Sequence, residues 1–494
     1  MIKPAFPILA VSLVLLALGQ ACAPRTDRPD RPPNILLILA DDLGYGELGS
    51  YGQQLIRTPN LDRLAAEGMR FTQAYSGSPV CAPSRCTLLT GLHTGHAFIR
   101  DNDEMGARGD VWNDPELEGQ RPIPEGTVTV GHLLQDVGYT TAAIGKWGLG
   151  WVGSSGDPNL QGFDHFYGYI CQREAHNYYP THLWDDGEKD PLGNRRFKAH
   201  QRLPEDADPD DPASYAPYAD ATYATDRMID DALAFVDTNA ERPFFLYYPT
   251  PIPHLGLQVP EDSLAEYAGV FEEQPYIGDA GYVPHHTPRA AYAAMITRMD
   301  RNVGRLLDRL DELGLADDTL VIFTSDNGPS WVGGVDKDFF GSQGGLRGRK
   351  AQLFEGGLRV PMIARWPGHI EPGTVTAHVT AFWDLLPTLT EVAGGSAPPD
   401  LDGLSLVPTL TGRTADQPEH ELLYWEFQRR QQALRLGDWK AYRPKPSEPI
   451  QLYDLAIDPA ETTDVAADHP ELVARIAALL ESERTPSEHF ALKR

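Results

Sequence analysis

The chain predicts an α/β protein, with a large, mainly parallel sheet sandwiched by helices and then a smaller C-terminal antiparallel sheet carrying one helix. Three observations carry that expectation. Asn34–Ala40 and Thr319–Thr324 are unbroken apolar runs of the kind that form strands buried on both faces. Between and around them apolar residues recur at helical spacing, at Leu61–Gly68, Val130–Val137, Asp226–Thr238 and Tyr292–Leu313. From about Asp416 the texture changes to short strand-like pieces at Leu422–Phe427, Gln432–Leu436, Trp439–Tyr442 and Leu452–Leu455, followed by an amphipathic helix at Pro470–Glu483.

Read from the N-terminus, one early charge at Lys3 and an apolar run from Ala5 to Leu18 form a secretory signal over residues 1–21. Leu18-Gly19-Gln20-Ala21 before Cys22 resembles a bacterial lipoprotein box, with Gly19 where leucine is usual, so a lipid anchor on Cys22 and a periplasmic or cell-surface location are expected. Residues 22–33, rich in Pro, Arg and Asp, read as a flexible tether. A large domain is expected over 34–415 and the C-terminal subdomain over 416–494, with the Pro- and Asp-rich stretch Leu203–Ala216 as a surface loop.

At 494 residues the chain exceeds the size at which one core keeps growing, which favours a large unit plus a small one. An apolar fraction of 41% and a charged fraction of 23% are those of an ordinary globular protein. With 70 acidic and 42 basic residues the formal charge is -28, which argues against nucleic acid or an anionic membrane surface as the main partner. An anionic substrate would need a locally positive pocket. Four cysteines are too few for a disulfide framework.

Both buried runs end in polar pairs, Asp41-Asp42 and Asp326-Asn327, at the carboxyl ends of strands where α/β sheets place their ligands. Oxygen-only ligands select a hard divalent cation, calcium first and magnesium second. Two adjacent carboxylates can meet one ion only where the chain has left regular strand geometry. Either pair alone is ordinary turn chemistry. Cys81-Ala82-Pro83-Ser84-Arg85, continued by Cys86-Thr87-Leu88-Leu89-Thr90-Gly91, places a cysteine at the opening of a helix. That helix's N-terminal amides and dipole would favour an anion such as sulfate, and Arg85 could offer it two parallel hydrogen bonds. Three more segments carry chemistry: Gly138–Trp147 with Lys146, Thr250-Pro251-Ile252-Pro253-His254, and Gly348-Arg349-Lys350 followed by Glu355–Pro361.

Taken in order along the chain, these segments resemble the signatures of type I sulfatases, the formylglycine-dependent, arylsulfatase-like enzymes of the alkaline phosphatase superfamily. The likeness runs from Pro33-Asn34 to Asp458-Pro459. It implies an alkaline-phosphatase-like sheet and oxidation of Cys81 to formylglycine by a maturation enzyme. The aldehyde hydrate would attack sulfur with one oxygen on calcium. The metal ligands would be Asp41, Asp42, Asp326, Asn327 and the converted Cys81; Arg85, Lys146 and Lys350 would hold the sulfate, and His254 would help the alcohol leave. If Cys22 carries lipid and Cys81 is converted, Cys86 and Cys171 remain, and they could pair.

The family commonly carries a histidine two residues after the lysine matched by Lys146, and this chain has Gly148 there. The base that acts on the hydrate must then be another residue or metal-bound solvent. Gly162–Tyr169 and His176–Pro180, with Trp184, are dense in aromatics suited to a sugar ring, and His176 is the candidate substrate contact or alternative proton carrier. An exported sulfatase of this kind points by analogy to a sulfated carbohydrate. Two rivals stand beside this reading. One is a phosphate or phosphonate monoester hydrolase of the same superfamily; the other is a noncatalytic lipoprotein that binds sulfated glycans with Cys81 unconverted.

Overall fold

The apolar runs become the middle of a mixed sheet. The computed structural model describes residues 31–103 and 118–493, so the signal over 1–21, Cys22 and all but the end of the tether lie outside the described residues. In chain order the strands of the large sheet are β1 (Asn34–Ala40), β2 (Met69–Tyr75), β3 (Thr140–Lys146), β4 (His165–Tyr169), β5 (His182–Asp185), β6 (Glu188–Pro191), β7 (Phe244–Pro249), β8 (Thr319–Ser325), β9 (Arg359–Arg365), β10 (Thr374–Thr376) and β11 (Thr380–Ala381). Their spatial order is β10-β2-β9-β8-β1-β7-β3-β4-β5-β6, with β11 also on β2. The block β8-β1-β7-β3-β4 is parallel throughout. Outside it the direction changes: β9 is antiparallel to β8 and β2, and β5 and β6 form an antiparallel ribbon on β4. The sheet is therefore mixed around a parallel centre.

Strand β1 shows why its run is apolar at every position. Leu36, Ile38 and Ala40 face one core and Ile35, Leu37 and Leu39 the other, all fully buried. The first core is closed by helices α1 (Pro59–Glu67), α4 (Ala224–Thr238) and Pro288–Glu312, the second by α2 (Cys81–Thr90), α3 (Val130–Asp136) and Leu385–Val392. Each predicted helix is present with its ends moved by a few residues, as expected where frayed ends are read from periodicity. The predicted loop at 203–216 is exposed over 204–206 and 208–213, and it runs into a 3₁₀ turn, Pro212–Tyr218, that buries Tyr215 and Tyr218. Among the described residues no helix is long and apolar enough to cross a membrane.

Four antiparallel strands follow, β12 (Leu423–Phe427), β13 (Gln431–Leu436), β14 (Trp439–Arg443) and β15 (Gln451–Asp454), then the helix Pro470–Ser482. One face of this sheet packs Tyr424, Leu434, Ala441 and Leu452 on Ile476 and Leu480 of that helix. The other sets Leu423, Trp425, Phe427 and Ala433 against Tyr75, Leu358 and Trp383. Polar groups also cross this second boundary. The Glu355 carboxylate accepts from Lys440 Nζ at 2.8 Å, from Arg359 Nε at 2.8 Å and from the Tyr75 hydroxyl at 2.7 Å. Burial works against the charged form of Glu355, yet Lys440 and Arg359 hold its carboxyl well below the usual carboxylate range.

Candidate active site

Because β8, β1, β7 and β3 are parallel neighbours, their carboxyl ends open on the same edge of the sheet, and each delivers one part of the site. Strand β1 ends in Asp41-Asp42, β8 in Asp326-Asn327, β3 in Lys146, and β7 runs into the loop that carries His254. Asp42 has φ 68°, in the left-handed region, and this is the break from strand geometry that turns two adjacent carboxylates toward one point. The Asp42 amide donates to Asp326 Oδ1 at 3.1 Å, locking the two strand ends together.

Cys81 is the first residue of α2, and every residue of that helix is buried. The thiol lies 3.4 Å from Asp41 Oδ1 and 3.6 Å from the ammonium groups of both Lys146 and Lys350. Lys146 Nζ donates to Asp41 Oδ2 at 2.5 Å, and Lys350 Nζ to Asp42 Oδ2 at 2.8 Å. Lys350 is set by its own backbone, whose amide donates to Pro329 O at 3.1 Å. Burial and the Asp41 carboxylate push the Cys81 thiol up to about 12. Two cations thus flank the position of the cysteine inside a protein of net charge -28, the locally positive pocket that an anionic substrate requires.

Two expectations about this helix need correction. After Cys81 its first-turn amides are not open to an anion: Ala82 N donates to Asn102 Oδ1 at 3.0 Å, Pro83 has no N–H, and Ser84 N turns to Val80 O at 3.3 Å. Nor is the Arg85 fork offered to a sulfate. The guanidinium is fully buried, with Nη2 on Asp326 Oδ2 at 2.8 Å and Asp41 Oδ2 at 3.2 Å, and Nη1 on the Lys146 carbonyl. It ties the ends of β1, β3 and β8 together, because carboxylates lie closer to it than any open surface does.

The oxygen cluster suits a hard cation. Asn327 Nδ2 donates to Asp42 Oδ1 at 2.7 Å and to Gly328 O at 2.9 Å, leaving Asn327 Oδ1 buried with no hydrogen-bond partner. A buried acceptor without a donor costs free energy unless something electropositive meets it. Burial and the neighbouring Asp41 raise Asp326 to about 7, and burial raises Asp42; Asp41 alone is held below its usual range, against burial, by Lys146 and Arg85. Three buried carboxylates with this imbalance fit a divalent cation. Ligand atoms of Asp41, Asp42, Cys81 and His254 also lie within 4.8 Å of one another. His254 stands at the edge of that group, with its Nε2 3.8 Å from Asp42 Oδ2 while its Nδ1 is 2.6 Å from its neighbour's carbonyl, Leu255 O.

His176, far away in sequence, stacks on His254 with ring centroids 4.5 Å apart and planes 16° apart. Its Nδ1 lies 3.0 Å from His200 Nε2, and Tyr282 packs against both rings. Sequence reasoning missed His200 and Tyr282, for which no local signal exists. It also missed Gln172. Gly148 has φ 86°, and a Cβ there would stand 2.4 Å from Gln172 Cγ. Gln172 fills the space that a side chain at 148 would need, and both ends of its buried amide lack a hydrogen-bond partner. Cys86 and Cys171, left open as a pair, carry no disulfide.

A mixed sheet that brings a buried cysteine, two lysines and an oxygen-rich cation cluster to one strand edge defines a hydrolase for an anionic ester. The chain belongs to the sulfatase family: the family model "Sulfatase" matches residues 33–395, and a model described as "N-sulphoglucosamine sulphohydrolase, C-terminal" matches residues 348–485. It is 36% identical to arylsulfatase A of Homo sapiens, over 94% of this chain and 89% of that protein. To steryl-sulfatase of Mus musculus it is 32% identical, over 97% of this chain and 86% of the relative. Among solved structures it is similar to Ps i-CgsB in complex with k-i-k-neocarrahexaose, with a TM-score of 0.73 at 27% identity, covering 94% of this chain and 95% of that one. The protein is a sulfuric ester hydrolase, and its fold is that of the sulfatases.

Proposed function

We propose that the protein hydrolyses a sulfate ester on a carbohydrate, using a formylglycine formed from Cys81 and a calcium ion held by Asp41, Asp42, Asp326 and Asn327, with magnesium as the alternative cation. The observation that carries this reading is the placement of Lys146 and Lys350, each 3.6 Å from Cys81 Sγ, beside the unpartnered Asn327 Oδ1. The carbohydrate preference draws on the neocarrahexaose complex of the similar Ps i-CgsB. Export and a lipid on Cys22 belong to the same reading, as does dependence on a maturation enzyme.

The hydrated aldehyde supplies a nucleophile with a second hydroxyl, so that sulfate can be expelled and the aldehyde regenerated, while the cation lowers the cost of a negative oxygen at that carbon. The remaining chemistry belongs to named side chains. Lys146 and Lys350 hold the sulfate oxygens and offset the charge that builds on them. Arg85 keeps Asp41, Asp326 and the Lys146 backbone in register and does not itself touch the ester. His254 Nδ1 donates to Leu255 O, which aims Nε2 into the site; burial and the charges of Lys350 and Lys146 keep the ring neutral, so Nε2 protonates the departing alcohol only after taking up a proton itself when the anionic ester is bound. Gln172 can donate or accept a hydrogen bond over Gly148, but an amide cannot take a proton, so proton removal from the hydrate falls to another group. His176, stacked on His254, is the candidate carrier named above.

The phosphatase reading is weaker here. A two-metal site needs a second cluster sharing its bridging ligands with the first, and the other groups among the described residues, His93–His96–Asp402 and His165–Asp185–Asp186, share no residue with it. Matched sulfate and phosphate esters separate the two readings by rate. The primary test is mass spectrometry of the tryptic peptide Phe71–Arg85 from protein made in its own host: loss of the Cys81 sulfur to an aldehyde is expected, and a full-occupancy thiol would favour the glycan-binding reading.

Two predictions follow from these roles. His254→Ala should lower kcat on a sugar sulfate by roughly 10²–10⁴-fold, with a much smaller loss on 4-nitrophenyl sulfate, whose leaving group needs no proton. Equal losses on both substrates would remove the general-acid role. Dialysis against a strong chelator should abolish turnover and lower Tm, because Asp41, Asp42 and Asp326 are left facing one another, and calcium should restore both.

A further inference from the structure

Among the described residues many arginines of this acidic chain are paired with carboxylates, as in Arg289–Asp336, Arg298–Asp226, Arg305–Asp230 and Arg309–Asp237. Arg349 is different. Its guanidinium lies over the ring of Trp331, with Cζ 3.6 Å from the centroid. Its Nη1 makes a long hydrogen bond to Lys350 O at 3.4 Å, and among the described residues no carboxylate pairs with it. Trp331 is 37% exposed, one of few large apolar side chains at the surface.

The pair stands beside the catalytic centre. Arg349 precedes Lys350, whose Nζ reaches the Cys81 thiol. The Trp331 loop is held at both ends: Pro329 O accepts from the Lys350 amide, and Gly333 packs so closely on Leu255 and Tyr282 that a Cβ there would stand 2.7 Å from Leu255 Cδ1. The loop therefore runs from Lys350 to the Tyr282 ring beside His176 and His254. A stacked guanidinium keeps its in-plane N–H fork free for a planar or tetrahedral anion, and an exposed indole offers a surface for a sugar ring.

Resting on the sulfatase reading above, we propose that Trp331 and Arg349 form an outer subsite for a sugar unit bearing a second anionic group, a sulfate or a carboxylate, next to the ester that is cleaved. Trp331 carries the ring and Arg349 the charge. A monoanionic aryl sulfate reaches Lys146 and Lys350 without touching the pair.

The test compares the converted enzyme on matched disaccharide pairs that differ only in a second sulfate, on pairs that differ only in a uronic carboxylate, and on 4-nitrophenyl sulfate. The wild type should prefer the doubly charged member of one series, which identifies the anion. Arg349→Gln should cut kcat/KM for that member by roughly 10- to 100-fold, the range of one charge-assisted contact, mostly through KM, and leave 4-nitrophenyl sulfate within about twofold. Trp331→Ala should weaken both sugars of the pair and spare the aryl sulfate. No wild-type preference in either series, or equal losses on the sugars and the aryl sulfate, would overturn the subsite. Absence of turnover on every sulfate ester by protein with a converted Cys81 defeats the sulfatase reading instead. In that case, calorimetry of the same disaccharides on the Cys81→Ala chain decides the subsite alone: binding that falls with Arg349→Gln supports it, and binding indifferent to that change rejects it.

Discussion

Cys81→Ala should reduce sulfate-ester turnover by at least about 10⁴-fold, the scale on which removal of a covalent nucleophile acts. The variant should remain folded. Cys81 is a small side chain at the first position of α2, its neighbours Ala82 and Cys86 remain packed, and alanine suits a helix better than cysteine does. Sulfate release from a sugar sulfate and from 4-nitrophenyl sulfate, with urea denaturation alongside, separates loss of chemistry from loss of fold. Retained turnover would sink the formylglycine reading outright. Unconverted protein should also fail, because a plain thiolate that captured the sulfuryl group has no second hydroxyl with which to expel it. Glycan binding by protein from its own host that shows neither conversion of Cys81 nor turnover would instead favour the noncatalytic rival.

The second large effect is on stability. Lys440→Met should destabilise the fold by about 3–5 kcal/mol, as breaking one side of a buried ion pair does. Lys440 and Glu355 are both fully buried with 2.8 Å between their charged atoms, and Lys440 also lies 3.7 Å from Glu461. Without Lys440 two buried carboxylates face each other: the Glu355 amide already donates to Glu461 Oε2 at 2.7 Å, and burial raises Glu461 to about 7. The pH dependence has a definite sign. Glu355 is depressed in the folded state, so its contribution is present above the unfolded carboxyl value of about 4.3 and lost as pH falls below it. Urea midpoints at neutral and acidic pH should converge for the variant and wild type as Glu355 protonates. An unchanged midpoint at neutral pH would show that Arg359 and the Tyr75 hydroxyl suffice to hold the carboxylate.

How much of this was legible beforehand differs by residue. The run Asn34–Ala40 announced a strand buried on both faces because periodicity is a local property, and the structure divides its side chains between two cores accordingly. The antiparallel edges were not legible. Strands β5 and β6 are short and carry charged residues, and β9 follows the lysine segment with the same apolar texture as a parallel strand, so only pairing reveals its direction. In the site, Cys81, Lys146 and Lys350 were each marked by a motif, and the structure brings them within 3.6 Å contacts. Arg85 was marked too, but its expected partner was a sulfate, and the competing carboxylates come from strands separated from it by tens or hundreds of residues.

By itself the sequence determined the α/β class, a large and mainly parallel sheet and the small C-terminal sheet, and it marked the candidate segments for the site. Each is written in spacing within a short window, where the backbone's own geometry enforces the pattern. Only the tertiary structure decided that His176 stacks on His254, that Gln172 fills the space above Gly148, that Arg349 lies on Trp331 and that Lys440 reaches Glu355. Those contacts join segments whose distance in the chain carries no record of their distance in space, and close packing, not local propensity, selects which side chains meet.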